Sequence, residues 1–162
     1  RAYYINGEAM LTLTKKTEYA MIATCHLARS GQGVVSARDI AELYRMRLPL
    51  LMNILKMLNQ HGVLRSVRGA RGGYALALAP KKITLSRLIE AVEGPPRLVK
   101  CAAPRPDDSP CELRGSCPVS PALGKIHRMF GGFLKGVTVA DVAFDESYRE
   151  RRPKGSKKAA VQ

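Results

Sequence analysis

Cys101, Cys111 and Cys117 lie in one Pro-, Asp- and Ser-rich stretch, with nine and then five residues between them. That spacing is neither the paired C-x-x-C of a zinc ribbon nor the single C-x-x-C of a thioredoxin motif. Three thiolates on one loop can hold a soft metal or an iron–sulfur cluster, which takes four protein ligands and favours Cys. No fourth ligand stands within the loop, and the next histidine, His127, falls on a predicted helix. Three cysteines with a weak fourth ligand make an exposed, reactive centre, better suited to sensing than to structure. The competing reading is a surface loop of reduced thiols, and spacing alone leaves both open. The remaining cysteine, Cys25, sits among apolar residues and reads as a small buried hydrophobe. His26 beside it reads as a packed or surface residue rather than a ligand.

A second group of residues points to a polyanion, and the elements that position it are legible. Ser36-Ala37-Arg38-Asp39 is a helix start, a Ser N-cap with an acid three positions on. Ala37, Ile40, Ala41 and Tyr44 then repeat at helical spacing. After Arg45-Met46-Arg47, Pro49 falls where a first helical turn tolerates a missing N–H. Leu51, Ile54, Leu55 and Leu58 form the stripe of a second helix, stopped by Gly62, and leave Met52, Asn53 and Lys56 on the opposite face. Residues 63–67 and 74–78 read as two strands around an Arg- and Gly-rich turn at 68–73. Helix, turn, helix and hairpin predict a winged helix, a module that sets its second helix in the DNA major groove. On that reading Asn53 and Lys56 contact DNA from the recognition helix and Arg45 and Arg47 from its approach. Arg65 contributes from the wing strand, while Arg68 and Arg71 at the wing tip reach the minor groove or phosphates. A small helical core with a surface hairpin is the alternative, and it leaves the Arg- and Gly-rich tip unexplained.

The composition agrees. The 162 residues carry a formal charge of +14, with a pI near 10.1 and 46% apolar residues. Such a balance implies a polyanionic partner, although charge alone does not separate DNA from RNA or an anionic membrane. No apolar run approaches the roughly 18 residues a membrane span needs, and no secretory leader is evident. The cysteine usage fits a cytoplasmic metal or redox site. An enzyme is poorly supported: no nucleophile–base set appears, and the wing glycines lie in a hairpin rather than before a helix as a phosphate loop requires.

The other elements follow in order. Residues 1–9 carry no helical period and are set aside as an N-terminal extension or an expression remnant. Thr14 caps a helix running to about Ser30, with Tyr19, Ile22, Ala23 and His26 along one stripe. Thr84 caps another, with Leu85, Leu88, Ile89 and Val92 on one side and Gly94-Pro95-Pro96 ending it. Residues 97–119 form the cysteine loop. A long helix from about Pro121 to Lys135 carries Leu123, Ile126, Phe130, Phe133 and Leu134, with Gly131-Gly132 as a weak point. Pairing with its copy in a two-fold dimer would cover that stripe; packing on its own domain is the alternative. Thr138 begins a last short turn through Val142. The tail from Arg149 holds six Lys or Arg and reads as a disordered phosphate-attracting segment. The expected fold is mainly α with a small β wing: a winged helix-turn-helix domain over 10–96, the cysteine loop, a dimerisation helix region over 120–144 and a basic tail over 145–162.

Between residues 11 and 143 the chain resembles the Rrf-two family of bacterial winged-helix regulators. That family includes the iron–sulfur-cluster regulator, the nitric-oxide-sensitive repressor and the rhizobial iron regulator. Leu13-Thr14-Lys15 with Glu18-Tyr19-Ala20, the wing run from Ser66 to Tyr74, Ile83-Thr84-Leu85 through Gly94, and the Cys111 to Cys117 segment carry the resemblance. It implies a homodimer with one cluster per protomer, [2Fe–2S] or [4Fe–4S], held by Cys101, Cys111, Cys117 and a fourth ligand that varies within the family. Where the iron–sulfur-cluster regulator has a histidine three residues after the last cysteine, this chain has Ser120. The nitric-oxide-sensing type instead uses a carboxylate early in helix one of the partner, and Glu18 holds that position here. The gap of nine before Cys111 exceeds the family's usual five to seven, and Arg47-Leu48-Pro49-Leu50 replaces a typically polar approach to the recognition helix. The expectation is a cluster-dependent repressor of palindromic promoter DNA that senses nitric oxide, iron or redox state. The alternatives are a winged-helix regulator whose cysteine loop binds zinc or acts as a thiol switch, and a nonspecific nucleic-acid-binding basic protein.

Overall fold

A computed structural model describes residues 4–5, 8–9, 13–31, 33–69, 72–102, 111–113 and 115–145. Two short strands, β1 (Tyr4–Ile5) and β2 (Glu8–Ala9), pair antiparallel in the segment that the sequence left without structure. Helix α1 (Lys15–Arg29) is capped by Thr14, whose hydroxyl accepts the Thr17 amide and donates to the Glu93 carboxylate. Its fully buried side coincides with the expected stripe only at Ala23. Ala20, Ala23, Thr24, Leu27 and Ala28 face the core, while Tyr19, Ile22 and His26 are half-buried at its edge. Small residues let neighbouring helices approach closely, and a hydrophobicity pattern weighted toward large side chains missed that face. Thr24 is buried without penalty because its hydroxyl donates to the Ala20 carbonyl.

Helix α2 (Ala37–Leu43) and helix α3 (Leu48–Gln60) form the helix-turn-helix. Ser36 caps α2 by accepting the Asp39 amide at 3.1 Å. All four apolar positions expected on α3, Leu51, Ile54, Leu55 and Leu58, are buried. Both helices end in a Schellman arrangement, with amide bonds from Met46 to Ala41 and from Arg45 to Glu42 after α2, and from Val63 to Leu58 and from Gly62 to Asn59 after α3. Gly62 supplies the left-handed residue after α3, whereas Arg45 takes that role after α2 at φ +52°.

Strands β3 (Leu64–Val67) and β4 (Gly73–Leu76) pair antiparallel, with Ser66 opposite Tyr74. Val35 adds a bridge on the far side of β4, exchanging two backbone hydrogen bonds with Tyr74 and tying the wing to the entry of α2. Helix α4 (Leu85–Glu93) is capped by Thr84 and stopped at Gly94, as its sequence predicts. Helix α5 (Ser120–Gly136) runs unbroken through Gly131 and Gly132, and α6 (Val139–Ala143) follows with a capping box between Thr138 and Asp141. The start of α6 is stitched to the start of α4: the Leu85 amide donates to the Val137 carbonyl and the Val139 amide to the Ile83 carbonyl. Helices α3, α4 and α6 pack on α1, so the core lies around that helix. The fold is a mainly helical winged helix-turn-helix with one small wing sheet.

Candidate nucleic-acid interface and cysteine loop

Leu51, Ile54, Leu55 and Leu58 of α3 lie inward. Pro49, Met52, Asn53, Lys56 and Gln60 are exposed on the face opposite the buried stripe. Asn53 and Lys56 therefore project from the second and third turns, and Arg47 is exposed as the N-cap residue of the helix. Arg47 makes no side-chain cap; its own amide instead donates to the Tyr19 hydroxyl at 3.3 Å. This contact from α1 fixes the start of α3, and sequence spacing gave no sign of it. Arg45 is exposed in the turn between the two helices.

The wing places Arg65 on the outer side of β3, opposite Ala75, and Arg68 at the end of that strand, both exposed. Arg71 lies outside the described residues. The glycines of the tip have a structural origin. A Cβ at Gly73 would collide with the Val35 carbonyl, and one at Gly72 would come within 2.6 Å of the Val67 carbonyl oxygen. Behind this surface, His26 Nδ1 lies 3.1 Å from the Tyr44 hydroxyl, with the two rings edge to face. Burial first, and then Arg29, holds the His26 pKa below the ordinary histidine value, so the ring is neutral at neutral pH; Asp39 opposes the shift.

The cysteines divide by environment. Cys25 is 3% exposed, whereas Cys101 and Cys111 are exposed and Cys117 is half-exposed; all four are free thiols. Cys101 sits in a short 3-10 turn, Lys100–Ala102, that packs against α5. Cys117 lies just before α5 and accepts the Ser120 amide at its carbonyl. His127, on α5, accepts the Leu98 amide at Nδ1, which ties the start of the cysteine segment to this helix. Glu18 is half-exposed in the first turn of α1 and pairs with Lys15 at 2.6 Å. Among the described residues, no three of His, Cys, Asp and Glu gather at metal-binding distance within one chain. In kind the donor set fits a thiophilic centre: exposed and half-exposed thiols on one segment are the soft ligands that iron–sulfur clusters and zinc take.

On α5 the expected apolar stripe is split. Leu134 is buried and Leu123 and Phe130 are half-buried, while Ile126, Met129 and Phe133 form an exposed row, the last two 66% and 62% exposed. Met129 was not in the expected stripe. Among the described residues, no helix is long and apolar enough to cross a membrane.

A helix-turn-helix with an outward polar recognition face and a cation-bearing wing defines a DNA-binding transcriptional regulator of the winged-helix class. The chain belongs to the Rrf2 family, whose model, described as an iron-dependent transcriptional regulator, matches residues 13–145. It is 29% identical to the transcriptional repressor NsrR of Streptomyces coelicolor over 134 residues, covering 82% of this chain and 88% of that protein. Its fold is similar to the structure of CymR, the global cysteine regulator of B. subtilis, with a TM-score of 0.64 and 28% identity over 86% of this chain and 98% of that one. T. potens IscR is similar too, with a TM-score of 0.65 and 25% identity over 90% of this chain and 95% of that one. The family consists of regulators and is not enzymatic.

Proposed function

We propose that this protein is a cytoplasmic repressor that binds palindromic promoter DNA as a two-fold homodimer. In this reading Cys101, Cys111 and Cys117 of one protomer, with Glu18 of the partner subunit, hold an iron–sulfur cluster, [2Fe–2S] or [4Fe–4S]. The observation that carries the DNA part is the exposed row of Asn53 and Lys56 on α3, backed by the buried leucine stripe. Arg45, Arg47, Arg65, Arg68 and Arg71 supply the cations for the flanking phosphates and the minor groove. The exposed row Ile126, Met129 and Phe133 supports pairing of α5 with its copy. Three cysteines bunched in one segment, without the even, spread framework of a disulfide-rich domain, support the cluster and the cytoplasmic location together.

When bound, such a cluster supplies an iron centre open to nitric oxide and oxidants. The protein does the rest. Glu18 pairs with Lys15 in the first turn of α1, and as a ligand across the dimer it would leave that pair and hold the turn in place. Tyr19, the next residue, carries that position to the amide of Arg47 and so to the start of the recognition helix. Two half-sites at a fixed separation then accept or reject both α3 helices together.

Two measurements test the reading. Competition between selected palindromic DNA and random duplex at about 150 mM salt should show a clear preference, because phosphate attraction alone carries no sequence information. Equal affinity would leave only a nonspecific nucleic-acid-binding protein. Anaerobic purification followed by absorbance and Mössbauer spectra should reveal iron with thiolate ligation. Zinc without iron would convert the proposal to a regulator with a zinc or thiol-switch loop.

A further inference from the structure

The exposed face of α3 holds one residue that neither phosphate attraction nor the core explains. Met52 is 51% exposed, yet it stands on the recognition face among Pro49, Asn53 and Lys56. At about 100° per residue along a helix, Met52 and Asn53 fall to either side of Lys56, with the buried leucines behind. A single exposed apolar residue on a protein surface is ordinary. This one is placed differently: it shares its face with a cation and an amide, in a chain of charge +14. It also lies in the N-terminal half of α3, the part of a recognition helix that contacts base edges. An apolar side chain there has one apolar partner among the major-groove edges, the C5 methyl of thymine; cytosine carries no such group. The unbranched, polarisable thioether of Met adapts readily to a methyl surface. Asn53 beside it has the donor–acceptor pair that matches adenine N6 and N7.

Building on the proposed reading of α3 as the groove-entering helix, we propose that Met52 is a specificity-determining residue. Its side chain packs on a thymine methyl in each half-site, next to an adenine contacted by Asn53, so this regulator selects A·T pairs at the centre of its recognition-helix footprint.

The test uses the full chain and a duplex selected by it from a random pool. Each thymine of the selected half-site is replaced in turn by deoxyuridine, which removes the methyl and keeps every hydrogen-bonding edge. Wild-type affinity should fall about threefold to fourfold at one thymine position, the size expected for withdrawing one methyl from apolar contact. With both half-sites changed the fall should reach about tenfold. Met52→Ala should bind the thymine duplex more weakly and no longer distinguish it from the deoxyuridine duplex, while Met52→Leu should restore the distinction. Because Met52 lies outside the core, both variants should melt with the wild type. A selected consensus at which wild type ignores every thymine-to-deoxyuridine change, or an unaltered distinction in Met52→Ala, would overturn this inference and leave the regulator reading standing. A pool that yields no consensus would overturn both.

Discussion

Arg45 shows at single-residue scale how a proposed DNA contact is reconciled with a stable turn. It occupies the left-handed position of a Schellman motif, where Gly62 serves the equivalent end of α3. A side chain in that conformation costs on the order of 1 kcal/mol relative to glycine, partly offset by glycine's greater freedom in the unfolded chain. Arg45→Gly should therefore leave stability unchanged or raise it by up to about 1 kcal/mol in urea unfolding, while weakening operator binding. A variant that bound DNA as well as the wild type would remove Arg45 from the interface. Cys25 makes the opposite case, a chemically capable group kept silent. Burial pushes its thiol up to about 11, against a lesser opposing influence from Arg29. The thiolate is the nucleophile, so at pH 8 Cys25 stays protonated and shielded. In metal-free native protein, a disulfide reagent should modify Cys101, Cys111 and Cys117 rapidly and Cys25 only after denaturation. The same shift has a sign in stability. The unfolded thiol ionises near its ordinary 9.0, so its contribution to stability is complete below that pH and declines as the pH rises toward 11.

At the scale of elements, legibility followed side-chain size. The helix-turn-helix was read almost to its ends because α3 is built from leucines at strict helical spacing and bounded by Pro49 and Gly62. Most of the face of α1 was misplaced because, Leu27 apart, its core contacts are small side chains, chiefly alanines and a threonine that bonds its own helix, a pattern with little hydrophobic contrast. The bridge from Val35 to Tyr74 was not legible at all, since a single residue pair has no period. The glycines of the wing were noticed for the wrong reason: Gly73 is required less by the turn than by the closeness of Val35. Gly73→Ala should force that bridge apart and destabilise the domain by roughly 1–3 kcal/mol, a typical cost of overpacking, with the largest rise in amide exchange at β4. Helix α5 was legible as a helix, but its stripe merged two faces, one packed on its own domain and one exposed. Phe133→Glu places a charge in the exposed row without touching Leu134, so the chain should keep its helical content yet elute as a monomer in light-scattering chromatography. A dimer of wild-type strength would move the interface elsewhere.

Across the whole molecule the parts form one connected path. Helix α5 packs on α4 and on the turn that carries Cys101, α4 packs on α1, and α1 holds the start of α3 through Tyr19. The cysteine segment and the recognition helix thus lie at opposite ends of a chain of contacts through α1, where Glu18 also resides. Allosteric couplings of about 1–3 kcal/mol change affinity several-fold to a hundredfold, and they require a ligand that distinguishes two positions of the connecting element. In the proposed cluster Glu18 would be that group: a carboxylate is a hard donor beside soft thiolates, the one most readily exchanged, and Lys15 pairs with it at 2.6 Å when it is not a ligand. Glu18→Ala should retain part of its iron on the three thiols, yet lose most of the difference in operator affinity between anaerobically purified and chelator-stripped protein, read by fluorescence anisotropy on the same duplex. Tyr19→Phe should lose that difference while keeping a wild-type iron content and absorbance spectrum, because it breaks the path beyond the ligand. If Glu18→Ala keeps the full cluster-dependent change, the signal does not pass through α1 and must reach the DNA through α5 and α4 instead.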